Sequence, residues 1–163
     1  MNLSGKQEET CELQRSMQLI KNVPLFSALS PDFFRVLAYL CERQTFSEKQ
    51  TIQREGETAD AAMILVRGTA HILRGDRHVA TIGKGQCVGG LSLLGRFRWL
   101  YSLRADIEVE CLLLPRHKVL PQFMARPDAL ISVAGELIGA VVDWDQRQLE
   151  RPEEMSAYGL GMV

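Results

Sequence analysis

Apolar residues follow three different periods along the chain. From about Glu8 to Leu40 they recur at helical steps: Leu13, Met17 and Ile20 share a face, and Asn22-Val23-Pro24 closes that run. A second helix is predicted from Ser30, whose short hydroxyl suits an N-cap. Pro31 fits the first helical position, and Phe33, Phe34, Leu37, Ala38 and Leu40 make the apolar face. From Cys41 to Leu114 the pattern changes to short strand-like runs: Met63-Ile64-Leu65-Val66, His71-Ile72-Leu73, Val79-Ala80-Thr81-Ile82 and Val109 to Leu114. Turn residues separate them at Glu55-Gly56-Glu57, Arg67-Gly68 and Gly83-Lys84-Gly85, and Arg74-Gly75-Asp76-Arg77 predicts a hairpin. Many short strands with glycine turns imply an all-β sandwich or barrel.

The helical period returns after Pro115. Pro127-Asp128 opens a long helix in which Leu130, Ala134, Leu137, Val141 and Trp144 form one stripe. Ile131, Ile138, Val142 and Leu149 form a second stripe beside it, and Gly135 and Gly139 permit close approach. One stripe suffices to dock a helix on a barrel. Two predict a partner helix as well. The expected organisation is a helical segment over 1–40, a β-barrel over 41–126, the long helix over 127–150 and a loose tail over 151–163.

Composition adds exclusions. The 163 residues are 46% hydrophobic and 24% charged, an ordinary globular balance. No run approaches the roughly 18 apolar residues of a membrane span, and the polar start Met1 to Glu9 predicts no secretory signal. A net charge of −1 gives no general attraction to nucleic acid. Cys11, Cys41, Cys87 and Cys111 form no C-x-x-C pair and read as reduced core thiols, which suggests a cytoplasmic protein. His71, His78 and His117 form no metal-spaced pair, so no metal site is expected. No nucleophile elbow, phosphate-binding loop or Ser-His-Asp arrangement points to an enzyme. The residues after Leu149 supply no helix-turn-helix, so direct DNA binding is not expected.

The stretch best suited to a ligand is 83–105. A strand ends at Ile82, Gly89-Gly90 follow a glycine turn, and Leu91-Ser92-Leu93-Leu94 is helix-compatible. Backbone N–H groups of Gly89, Gly90, Leu91 and Ser92 could face an anion there, with Arg98 or Arg96 adding charge. Taken alone, Gly89-Gly90 reads first as a tight corner of a barrel.

The order Phe46-x5-Ile52, Glu55-Gly56-x3-Asp60, Met63-Ile64-Leu65-Val66-x-Gly68, Ile82-Gly83-x-Gly85, Gly89-x-Leu91-Ser92-Leu93-Leu94 and Leu103-Arg104-Ala105 resembles the cyclic-nucleotide-binding domain family. The likeness runs from about Ile20 to Leu149. It implies an eight-stranded jelly roll (a double-stranded β-helix), a phosphate-binding cassette, a C-terminal helix whose first stripe, from Leu130 to Trp144, serves as lid or homodimer interface, no catalysis, and cyclic AMP or cyclic GMP as candidate ligands. Some relatives hold haem through a histidine, and His71 is the candidate for that role here. Two positions depart from the family. Gly90 replaces the glutamate that binds the ribose hydroxyl, and Trp99 stands where the phosphate-binding arginine belongs. Each lost charge-assisted bond costs about 1.5–3 kcal/mol, together several hundredfold or more in affinity. The resemblance therefore implies a sensor with a retuned or degenerate pocket, or alternatively a ligand-independent interaction scaffold. Trp99 either closes a pocket onto a base or fills the space a ligand left.

Overall fold

The computed structural model describes residues 3–150, with side chains over 10–147. The tail 151–163 lies outside the described residues. Helix α1 (Leu3–Lys21) leads through a one-turn 3-10 helix (Pro24–Phe26) to α2 (Pro31–Leu40). Ser30 caps α2 as expected, its Oγ accepting the Phe33 N–H at 3.3 Å, with Pro31 in the first turn.

Eight strands follow: β1 (Glu42–Phe46), β2 (Thr51–Gln53), β3 (Ala61–Arg67), β4 (Ala70–Arg74), β5 (Arg77–Ile82), β6 (Cys87–Val88), β7 (Ser102–Ala105) and β8 (Val109–Pro115). They pair as two separate antiparallel sheets, ordered β1-β8-β3-β6 and β2-β7-β4-β5. The ladder does not run on from one sheet to the other, so the expected closed barrel is corrected to a sandwich. The hairpin prediction is met: Arg74 pairs with Arg77 across Gly75-Asp76, and Gly75 has φ 57°. Helix α3 (Arg116–Ala125) and the long α4 (Pro127–Glu150) complete the described residues.

Two cores account for the sequence pattern. Strands β3 and β8 are buried on both faces, which is why they read as unbroken apolar runs. Met63, Leu65 and Val109 face the other sheet, meeting Ala70, Ile82, Leu103 and Ala105. Ala62, Ile64, Leu112 and Leu114 face the helices, meeting Phe26, Phe33, Leu37, Phe123 and Val133. Phe33 and Phe123 centre this helical layer, ring centroids 4.9 Å apart. The helices therefore lie against the first sheet only. Among the described residues no helix is long and apolar enough to cross a membrane.

The expectation of four core thiols needs correction. Cys111 is buried, Cys41 and Cys87 are half-buried, and Cys11 is exposed, because Cys11 lies on the polar side of α1. Burial pushes the thiols of Cys87 and Cys111 up to about 12, so both stay protonated at neutral pH.

Candidate functional site

The cassette forms at the end of β6. Gly89 takes the left-handed conformation with φ 73°, and the chain then makes a single 3-10 turn, Gly90–Leu93. Four residues make a weak dipole, and part of the donor set is already engaged. The Ser92 N–H donates to the Gly89 carbonyl at 2.9 Å, so Ser92 does not offer the backbone donor assigned to it. Its side chain is fully buried, and Oγ has no hydrogen-bond partner in the protein.

Residues 97–99 then run antiparallel to 56–59. Ala59 N–H donates to Phe97 O, Trp99 N–H to Glu57 O, and Gly56 N–H to Trp99 O, all at 2.8–2.9 Å. This pairing holds the strand extended, so successive side chains point to opposite sides. Phe97, Trp99, Tyr101, Leu103 and Ala105 face the sandwich core. Arg96, Arg98, Leu100 and Arg104 are exposed. The Arg98 guanidinium donates outside to the Gly56 carbonyl at 2.9 Å. Arg98 and Arg96 therefore do not join Trp99 and the glycine turn in one pocket. A one-residue offset in a strand puts a side chain on the wrong face, and no counting without period 2 reveals it.

Trp99 is 3% exposed. Its ring meets Phe97 and Tyr101 edge-on at centroid distances of 6.0 and 5.5 Å, and Nε1 has no partner in the protein. It reaches the cassette itself: a Cβ added at Gly89 would lie 2.6 Å from Trp99 Cη2 and 2.7 Å from the Ala61 carbonyl oxygen. Burial also pushes the Tyr101 hydroxyl above its ordinary range.

Gly90 is covered from the other side. A Cβ there would meet Leu25 Cδ2 at 2.6 Å. Leu25, in the N-terminal 3-10 turn, was not among the predicted site residues, and nothing in its local pattern marks it. It lines a groove of about 500 Å³ with Cys87, Leu91, Glu136, Leu137 and Ala140, between the cassette and α4.

The long helix divides its two stripes differently from the sequence assignment. Leu130 and Leu137 pack against the helical core beside the buried Ala129 and Val133. Ala134, Val141 and Trp144 are half-buried. The outward apolar positions are Ile131, Ile138 and Val142, which are 70%, 64% and 55% exposed. Gly135 and Gly139 have open space around them, with nothing within 4 Å of an added Cβ.

The molecule is thus a two-sheet sandwich with a glycine-cornered turn after β6 and a long helix beside that turn. The family comparison names the class: residues 43–126 match the model of the cyclic nucleotide-binding domain. The chain belongs to that family, whose domains are regulatory and not themselves catalytic. A cAMP-dependent protein kinase regulatory subunit from Eremothecium gossypii is 34% identical over 70 residues, or 43% of this chain. That stretch is 15% of the relative's length. Among solved structures, the N-terminal domain of a transcriptional regulator from Streptomyces coelicolor A3(2) superposes with TM-score 0.68 at 22% identity, covering 85% of this chain and 97% of that one. A cyclic nucleotide-binding-like protein from Brucella abortus gives TM-score 0.60 at 29% identity, covering 64% of this chain and 93% of that one.

Proposed function

We propose that this chain is a non-enzymatic regulatory domain whose nucleotide hollow is filled by its own Trp99, and which acts by docking through α4 without a cyclic nucleotide as its trigger. The observation that carries this reading is the burial of Trp99 against Gly89, at the position where the family resemblance expects an arginine. An indole buries about 150–250 Å² of surface. At about 25 cal/mol per Å², expelling it costs on the order of 4–6 kcal/mol before a ligand makes any contact. A nucleotide would have to offset that without the glutamate and the arginine of its usual cradle.

The docking face is Ile131, Ile138 and Val142, spaced for one side of a helix, with Gly135 and Gly139 between them. A second copy of the chain offers the same face, and pairing about a two-fold axis covers both at once.

Calorimetric titration with cyclic AMP and cyclic GMP tests the first half: no saturable heat is expected up to millimolar ligand. Micromolar binding of either would overturn the self-filled site. Sedimentation of the wild type against Ile138→Asp tests the second half, with a dimer and a monomer expected in that order. Two monomers would remove self-association through α4.

A second reading, a sensor for a small polar ligand other than a cyclic nucleotide, is favoured by one observation. Trp99 Nε1 and Ser92 Oγ are both buried without a protein partner, which is costly for polar atoms. A stoichiometric small molecule in native mass spectra of the purified protein would select this reading.

A further inference from the structure

The outer face of the second sheet carries a cluster that the nucleotide fold does not use. His71 on β4 and His78 on β5 both turn toward Thr81. His71 Nδ1 lies 3.0 Å from Thr81 Oγ1, and His78 Nε2 lies 3.0 Å from the same oxygen. The two rings stand edge to face with centroids 4.8 Å apart. The sequence shows no metal spacing here because the hairpin, with its irregularity between Ile72 and Leu73, brings the histidines together across two strands.

On the far side of His71, Nε2 lies 3.1 Å from Asp106 Oδ1. An ionised carboxylate only accepts, so the proton of neutral His71 belongs on Nε2. Asp106 is itself held, its Oδ2 accepting the Thr69 hydroxyl at 3.1 Å and its N–H donating to the Thr69 carbonyl at 2.9 Å. Nδ1 of His71 is thereby left with its lone pair aimed at Thr81. This carboxylate–imidazole arrangement is the one that orients metal-bound histidines.

We propose that His71 and His78 form a two-imidazole site for a borderline divalent transition metal such as zinc, with the Thr81 hydroxyl or water completing the coordination and Asp106 positioning His71. Imidazole nitrogens bind zinc at about 2.0–2.1 Å, which sets the ring centres of two ligands on one tetrahedral ion roughly 5 Å apart. The observed 4.8 Å already meets that spacing. His78 presents its Nε2 lone pair by moving its proton to Nδ1, a change of tautomer within the neutral ring. The site is open on the solvent side, since the His71 side chain is 27% exposed. Arg104, the cross-strand neighbour of His71, is the cation on that face that weakens the site. Among the described residues no group of three or more His, Cys, Asp or Glu is arranged for a metal, so two protein ligands set the ceiling on affinity.

The test is calorimetric titration of zinc chloride into the full chain without a histidine tag, compared with His71→Gln and His78→Gln. Wild type should take up one ion that each variant binds at least about tenfold more weakly, and Asp106→Asn should weaken binding about 10–100-fold. Melting curves of the metal-free variants confirm folding. Exposed Cys11 and His117 contribute equally to every protein, so only the difference counts. A silent wild type, or equal binding by wild type and both histidine variants, would overturn the site. An unchanged Asp106→Asn would overturn the positioning role.

Discussion

Trp99→Ala is expected to lower the unfolding free energy of the domain by about 3–5 kcal/mol, read from urea or thermal unfolding. The indole is packed between Phe97 and Tyr101 and against the backbone of Gly89, so its removal leaves a cavity lined on several sides. Ladder hydrogen bonds from residues 56–59 hold the strand that carries it, and these limit collapse into the space. A loss under about 1 kcal/mol would mean that the ring is not a packed part of the core. Removing the indole also removes the unpartnered Nε1, which offsets part of the loss and argues for the lower end of the range.

Gly89→Ala should cost about 2–5 kcal/mol by the same measurement. Two effects add. The residue sits at φ 73°, which a side chain disfavours, and the new methyl would approach the Ala61 carbonyl oxygen to 2.7 Å. That oxygen belongs to the start of β3, which is paired to β8 and β6 and cannot retreat cheaply. The same methyl would press on Trp99 Cη2 at 2.6 Å. The double variant Gly89→Ala, Trp99→Ala removes that second clash alone, so the two changes should couple by about 1 kcal/mol or more. Additivity within about 0.5 kcal/mol would place the ring away from the cassette.

How far the fold could be read depended on what each strand buries. Strands β3 and β8 are apolar on both faces, and β4 and β5 are joined by a glycine hairpin, so all four were legible. Strand β1, Glu-Arg-Gln-Thr-Phe, is an exposed edge held by its ladder to β8 and by the Arg43–Glu110 ion pair, and it carries no apolar period. Strand β6 has two residues, too few for any pattern. The count of strands does not distinguish a barrel from two sheets, because closure depends on pairing at the edges. The family spacing singled out Gly89, Gly90 and Trp99, and the fold sets the Trp99 ring against Gly89. The spacing did not show which way Arg98 points, nor that Leu25 from the N-terminal turn covers Gly90. Those contacts join segments distant in sequence. The two stripes of α4 were visible, but only the packing of Ala129 and Val133 decides which one faces inward.

Trp144→Phe leaves Trp99 as the sole indole in the chain and makes its surroundings directly readable. The account predicts blue-shifted emission, resistant to quenching by acrylamide and unchanged by millimolar cyclic AMP. Emission from a solvent-exposed indole, or a spectrum that moves on adding cyclic AMP, would contradict the claim that Trp99 occupies the place of the ligand.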